Sequence, residues 1–226
     1  TKTYDGTTNV ASSNLTNFSN LAGSDTLSLS GTGTISSADI GTGKTVNTSG
    51  LTIDNSSGVG TNYTLSSATV NVTERVIGLS GVRAFDGTNN ASSADLSISN
   101  LVSGENLTLS GSGTLPNATV EMNKAITLGS LSISDGSGGK SSNYTLTGGS
   151  HTLDISQLSV NVTGSRQYDG TKTVNSSDLN LTNLVSGETV SLTGAGTVAD
   201  ENVGANKTVT AGSLALTGPG AGNYTL

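Results

Sequence analysis

Residues 179–197, LNLTNLVSGETVSLTGAGT, repeat almost position by position the stretch at 96–114, LSISNLVSGENLTLSGSGT, and a third version, LTNFSNLAGSDTLSLSGTGT, stands at 15–34. Apolar residues in all three alternate with Ser, Thr and Asn at a period of two, as half-buried strands do. Glycine-rich breaks such as SGE and DGSGGKSS supply the positive φ angles that tight turns need. Helix-period stripes are missing. These stretches therefore predict an all-β fold.

Further flags surround each version. TYDGTT at 3–8 returns as AFDGTN at 84–89 and QYDGTK at 167–172, and NYTL occurs at 62–65, 143–146 and 223–226. A lysine follows a fixed distance after the strand segment, at Lys44, Lys124 and Lys207. The period is about 80 residues, longer than a solenoid coil and close to a small domain. The expected organisation is three tandem β-sandwich-like domains in an elongated array: 1–73, N-terminally truncated; 74–156; and 157–226, C-terminally truncated. β-grasp-like units with little helix are the alternative. Neither joint carries a Pro-rich or Gly/Ser-only linker, so restricted angles between domains are expected.

Composition narrows the function classes. With no Cys among 226 residues, disulfides and thiolate metal sites are excluded. A net charge of −7, with only nine scattered Lys and Arg, argues against nucleic acid as a partner. No apolar run approaches the length of a membrane helix. Charged residues are 11% and aromatics 3%, neither the profile of a common cytosolic enzyme nor that of a charged disordered tail.

Six of the seven aromatics stand in the two repeated flags: Tyr4, Phe85 and Tyr168 in one, Tyr63, Tyr144 and Tyr224 in the other. A ring can bury 150–250 Å², roughly, so rationed rings in a thin core read as anchors. Asp5-Gly6, Asp86-Gly87 and Asp169-Gly170 read as tight turns, the Asp bonding backbone N–H groups and the Gly taking the left-handed conformation.

Catalysis finds little support. The single His, His151, belongs to one copy, and GTGTISSADIGTGKT at 31–45 lacks the glycine spacing of a phosphate loop. Asp5, Asp86 and Asp169 recur without the clustered oxygens that calcium requires, so no metal and no cofactor is expected. An acid, a lysine and an asparagine recur as Asp5, Lys44 and Asn62, then Asp86, Lys124 and Asn143, then Asp169, Lys207 and Asn223. Those are the residue types of a spontaneous Lys–Asn isopeptide link. They also read, more simply, as exposed strand-edge lysines and turn asparagines, and no link is expected. Asn-x-Ser/Thr triplets, at Asn14, Asn62, Asn106, Asn143, Asn161, Asn180 and Asn223, arise readily in strands of this composition.

YDGT, VSGE, ADENVGANKTV and GAGNYTL of the third copy together resemble the YDG repeat of large filamentous-haemagglutinin-like bacterial adhesins of the two-partner-secreted type. The resemblance runs over essentially the whole chain. The first copy departs with AGSD for VSGE, the second with Phe85 for Tyr and with TVEMNKAI. What it implies is a non-enzymatic stalk of a secreted or cell-surface adhesin, extracellular, serving cell adhesion or biofilm. Its partners would be neighbouring repeats of the same chain and, beyond them, a host or matrix glycan or protein. The alternative is a carbohydrate- or protein-binding module using loops such as 135–142.

Overall fold

The strands are short because the apolar alternation rarely runs beyond five residues before a glycine or a polar turn breaks it. The computed structural model describes residues 1–15 and 17–226, and among them it is all-β, with short 3₁₀ turns and no α-helix. The expected fold class holds in this form: many small sheets of two to four strands.

Each copy builds the same hairpin layer. In the first copy Asn9–Ala11 pairs antiparallel with the long strand Leu27–Thr34, which pairs in turn with Leu51–Asn55. The second copy splits the long strand, so Asn90–Ser92 pairs with Ser112–Thr114 and Leu107–Ser110 with Ser132–Asp135. The third repeats this arrangement, Thr173–Asn175 with Ala195–Thr197 and Ser191–Thr193 with Ala215–Thr217. At the break, Gly111 has φ +85°, and a Cβ there would stand 2.2 Å from the carbonyl oxygen of Ser130. Only glycine lets the crossing backbone pass.

A second layer is made by the strand that ends a copy. Thr69–Thr73 lies between Lys2–Thr3, to which it is parallel, and Gly41–Thr45, to which it is antiparallel. His151–Ser156 fills the same place, between Gly78–Ala84 and Glu121–Ala125. Their alternation buries every second side chain, Val70 and Val72 in one, Leu153 and Ile155 in the other. Val10, Ile35 and Val46 in the first copy, and Ala91, Leu115 and Ile126 in the second, are buried as well. Burying one such side chain contributes about 1.5–3 kcal/mol, so a core of few large residues depends on each of them.

The compact units do not follow the sequence copies. One unit comprises Thr1–Leu79 with Ile98–Ser110 and Ser132–Ser150; the other comprises Ser80–Ser97, Gly111–Leu131 and His151–Leu226. Each unit therefore holds parts of two consecutive copies, and the reason lies in where the aromatic rings go.

Candidate functional site

The Asp-Gly turn forms as its sequence predicts. Asp5 accepts from the backbone N–H and the hydroxyl of Thr7, each at 2.9 Å, and the pairs Asp86–Thr88 and Asp169–Thr171 repeat both distances. Gly6, Gly87 and Gly170 have φ of +76°, +76° and +72°. The sequence reading missed the base three residues before each acid: Lys2, Arg83 and Arg166 form ion pairs with Asp5, Asp86 and Asp169. Each base also donates to the carbonyl of the turn threonine, Thr7, Thr88 or Thr171, and so clamps the turn from both sides. The guanidinium of Arg166, then the donors of Thr171, pull the Asp169 carboxyl down to about 2. Burial pushes Asp5 and Asp86 up, but the donors from Thr and from the base outweigh it and leave both below the ordinary carboxylate value.

With the turn fixed, the ring before it is aimed outward from its own copy. Tyr4 packs edge-to-face on Tyr144 of the following copy, centroids 5.4 Å apart at 79°. Phe85 packs on Tyr224 in the same way, at 5.5 Å and 79°. Each pair lies within one compact unit, and all four rings are buried. The buried anchors are therefore joints between copies, each pair drawing one ring from each of two consecutive copies. Tyr168 departs further: it is 65% exposed, with no ring against it among the described residues. Tyr63 is only half-buried. Its hydroxyl donates to Asp25 at 2.6 Å and accepts from the Ala22 N–H at 3.1 Å.

Several groups complete the first joint. Glu105, from the VSGE segment, accepts from the Tyr4 hydroxyl at 2.5 Å and from the Tyr144 hydroxyl at 2.7 Å. The Tyr144 hydroxyl also accepts from the Val102 N–H at 3.1 Å, and the Tyr224 hydroxyl from the Val185 N–H at 3.0 Å. Burial first, and the Glu105 carboxylate second, raise both Tyr4 and Tyr144 above the usual phenol value. The turn glycines are fitted to the joint as well: a Cβ on Gly6 would lie 2.7 Å from Val102 Cγ1, and one on Gly87 2.5 Å from Val185 Cγ1.

Asparagines of the NYTL flag close the other side. Asn143 is fully buried; its Oδ1 accepts from the Ile40 N–H at 3.0 Å and its Nδ2 donates to Asp39 at 2.9 Å. Asn223 accepts from the Val120 N–H at 3.1 Å, at the same sequence separation of 103. A 3₁₀ turn, Ser141–Asn143 or Ala221–Asn223, presents each Asn, and the strand after it holds the Tyr in parallel pairing: Tyr144 opposite Arg75, Tyr224 opposite Leu158. Lys140, in the loop read as a ligand rim, bonds Asp39 at 2.6 Å. That contact holds the Asp39 carboxyl below its ordinary value.

The acid–lysine–asparagine trios each find other partners. Asp5, Asp86 and Asp169 hold their own turn bases. Lys44 donates to the carbonyls of Ser37, at 2.8 Å, and Asp39, while Lys124 donates to Asn117 and Thr119. Lys207 pairs with Asp200 at 2.5 Å. Lys124 is 3% exposed, so the reading of these lysines as exposed strand charges fails there: its ammonium caps a loop's carbonyls from inside. Asn62 is exposed, whereas Asn143 is buried and joins two copies. Among the described residues no group of three or more acidic or His side chains gathers that could hold a metal ion.

Thus the same flags that define the repeat also dock one copy onto the next. The YDG domain model matches residues 1–70, 73–153 and 154–226. The chain belongs to the YDG domain family. No curated protein and no solved structure matches it. In YDG terms, the Tyr-Asp-Gly flag of one domain and the Asn-Tyr-Thr-Leu flag of the next are the two halves of a single joint. No helix of the described residues is long and apolar enough to cross a membrane.

Proposed function

We propose that these YDG repeats form the structural stalk of a large bacterial adhesin of the filamentous-haemagglutinin-like, two-partner-secreted kind, acting outside the cell or at its surface and doing no catalysis. One observation carries this reading: consecutive copies are locked by a buried ring pair, a turn glycine packed against a valine and an asparagine bond, in both places where two copies meet. A loose string of domains needs no such lock. A stalk that must transmit force or hold a distal region away from a surface does, because each joint removes a hinge. The acidic, Cys-free, Ser/Thr-rich composition suits an exported chain that folds without oxidation.

Small-angle scattering on the 226-residue protein tests it. A compact globule of this length has a radius of gyration of about 17 Å, and a stalk segment should far exceed it. A value near the compact figure would refute the stalk. Specific binding of the isolated repeats on a glycan or matrix-protein array would replace the stalk with a binding module.

A further inference from the structure

The first joint holds a pairing that the second lacks. Among the described residues, Tyr4 and Tyr144 are the one ring contact in which both members are phenols; at the second joint Phe85 takes the place of Tyr4, against Tyr224. The two hydroxyls do not point apart. Tyr4 donates to Oε1 of Glu105 at 2.5 Å, and Tyr144 donates to Oε2 of the same carboxylate at 2.7 Å. The two oxygens of a carboxylate are neighbours, so the shared acceptor brings the hydroxyls, and with them the ring carbons ortho to each hydroxyl, toward a single point.

The surroundings suit a reaction between these two rings. Tyr4 is 5% exposed and Tyr144 3%, so a phenol of a second molecule has no approach to either. Both residues are held in place: the Tyr4 backbone N–H donates to the Thr73 carbonyl at 2.8 Å, and the Tyr144 hydroxyl accepts from the Val102 N–H at 3.1 Å. Burial first, and Glu105 second, keep both phenols protonated above their ordinary range, so a ring that loses an electron must shed its proton as well. Glu105 already accepts that proton's hydrogen bond, and it is only half-buried, which leaves it a path to water. The remaining tyrosines lack this arrangement. Tyr63 donates to Asp25, Tyr168 is exposed and Tyr224 faces a phenylalanine.

We propose that Tyr4 and Tyr144 are a modification site: a one-electron oxidant, of the kind generated from peroxide or persulfate, couples them into a dityrosine that ties the first copy covalently to the second. Each phenol gives one electron to the oxidant and its hydroxyl proton to Glu105, which passes it to water. The two phenoxyl radicals join through one ortho carbon of each ring. The hydrogen on each of those carbons then moves to the oxygen of its own ring, which restores both phenols. One carbon–carbon bond has formed, and the two electrons and two protons released reduce one peroxide to two waters. A held pair reacts at an effective concentration far above that of any protein solution, so coupling within the joint outruns coupling between molecules. The inference stands on the geometry of this joint and is independent of the stalk reading.

Illumination of the unaltered 226-residue protein, dilute, with a ruthenium tris-bipyridyl sensitiser and persulfate tests it. The monomer is expected to gain the blue fluorescence of dityrosine and to lose the mass of two hydrogen atoms. Trypsin should then release residues 3–44 joined to residues 141–166, each of which holds a single tyrosine, Tyr4 in one and Tyr144 in the other. Tyr4→Phe, which builds the ring pair that the second joint already has, should lower the monomer's dityrosine yield at least about 10-fold. Glu105→Gln, which cannot take the proton, should lower it about 10-fold or more at a matched light dose. No dityrosine in the monomer, a link between any other two tryptic peptides, or an undiminished yield in Tyr4→Phe would overturn the proposal. An undiminished yield in Glu105→Gln would overturn the part given to the carboxylate.

Discussion

The two joints do the same task with different chemistry. Between the first and second copies, Tyr4 and Tyr144 share the Glu105 carboxylate, Asn143 makes two bonds, and Lys140 pairs with Asp39. Between the second and third, Phe85 has no hydroxyl to offer, Asn223 makes its one bond to Val120, and Gly220 stands where the first joint has Lys140. What both keep is the ring geometry, the Asn bond to a backbone N–H and the valine against a turn glycine. Shape is therefore the constant and the polar decoration is the variable. Buried apolar contact accounts for this, because an exposed or half-exposed polar pair adds little net free energy while a buried ring adds several kcal/mol.

The largest expected effect breaks both joints alike. Tyr144→Ala and Tyr224→Ala should each cost about 3–5 kcal/mol of the stability of the unit that holds the ring, read by urea unfolding with hydrogen exchange to localise the loss. Tyr168→Ala should leave the midpoint unchanged. Equal losses at all three positions would mean that the rings act within a copy, and the joint would be the wrong description.

Next come the turn glycines. Alanine at any of them meets the left-handed penalty of about 1–2 kcal/mol. At Gly6 and Gly87 it also meets the valine of the next copy, whereas at Gly170 nothing lies closer than the Tyr168 hydroxyl at 3.9 Å. Thermal melts should therefore rank Gly87→Ala and Gly6→Ala well below Gly170→Ala. Equal Tm values for the three would remove the glycines from the joint.

A smaller effect sharpens the difference between the joints. Tyr4→Phe makes the first resemble the second and should cost about 1 kcal/mol, the loss of one hydrogen bond to Glu105. Tyr4 and Tyr144 also predict an alkaline dependence. Their folded values are raised, so the stability they add is complete below the unfolded phenol value near 10 and drains away as pH climbs from there toward the folded values. Unfolding followed from pH 8 to 12 should show this loss in the unit holding Tyr4, and Tyr4→Phe should reduce it. At the acid end the sign reverses. The lowered carboxyls of Asp5, Asp86 and Asp169 stabilise above the unfolded value near 3.9 and cease to do so as pH falls through their folded values, which for Asp169 is about 2. The smallest effect belongs to Lys140→Ala, whose pair is solvent-exposed and screened; a Tm change within error is expected, and a drop of several degrees would promote the polar decoration from variable to essential.

Much of the molecule was legible one segment at a time. Alternation in LNLTNLVSGETVSLTGAGT announced strands, and Asp-Gly announced a turn whose carboxylate and positive φ the structure reproduces three times. The clamp was legible too and passed unread: Lys2, Arg83 and Arg166 each stand three residues before their acid. Glu105 was visible only as part of VSGE, because nothing local indicates that a loop carboxylate meets two phenols, one of them 101 residues away.

By itself the sequence determined the β class, the three copies, the turn chemistry and the rationing of the rings, since each follows from interactions among residues close along the chain. Only the tertiary structure decided which ring meets which. In a repeated sequence the flag of one copy is followed by chemically equivalent NYTL flags, one in its own copy and one in the next, so composition and spacing are the same for either pairing. The choice is made by geometry: the clamped turn aims Tyr4 and Phe85 out of their own copy, where Tyr144 and Tyr224 complete the burial, and Tyr168, aimed in the same way, stands in solvent.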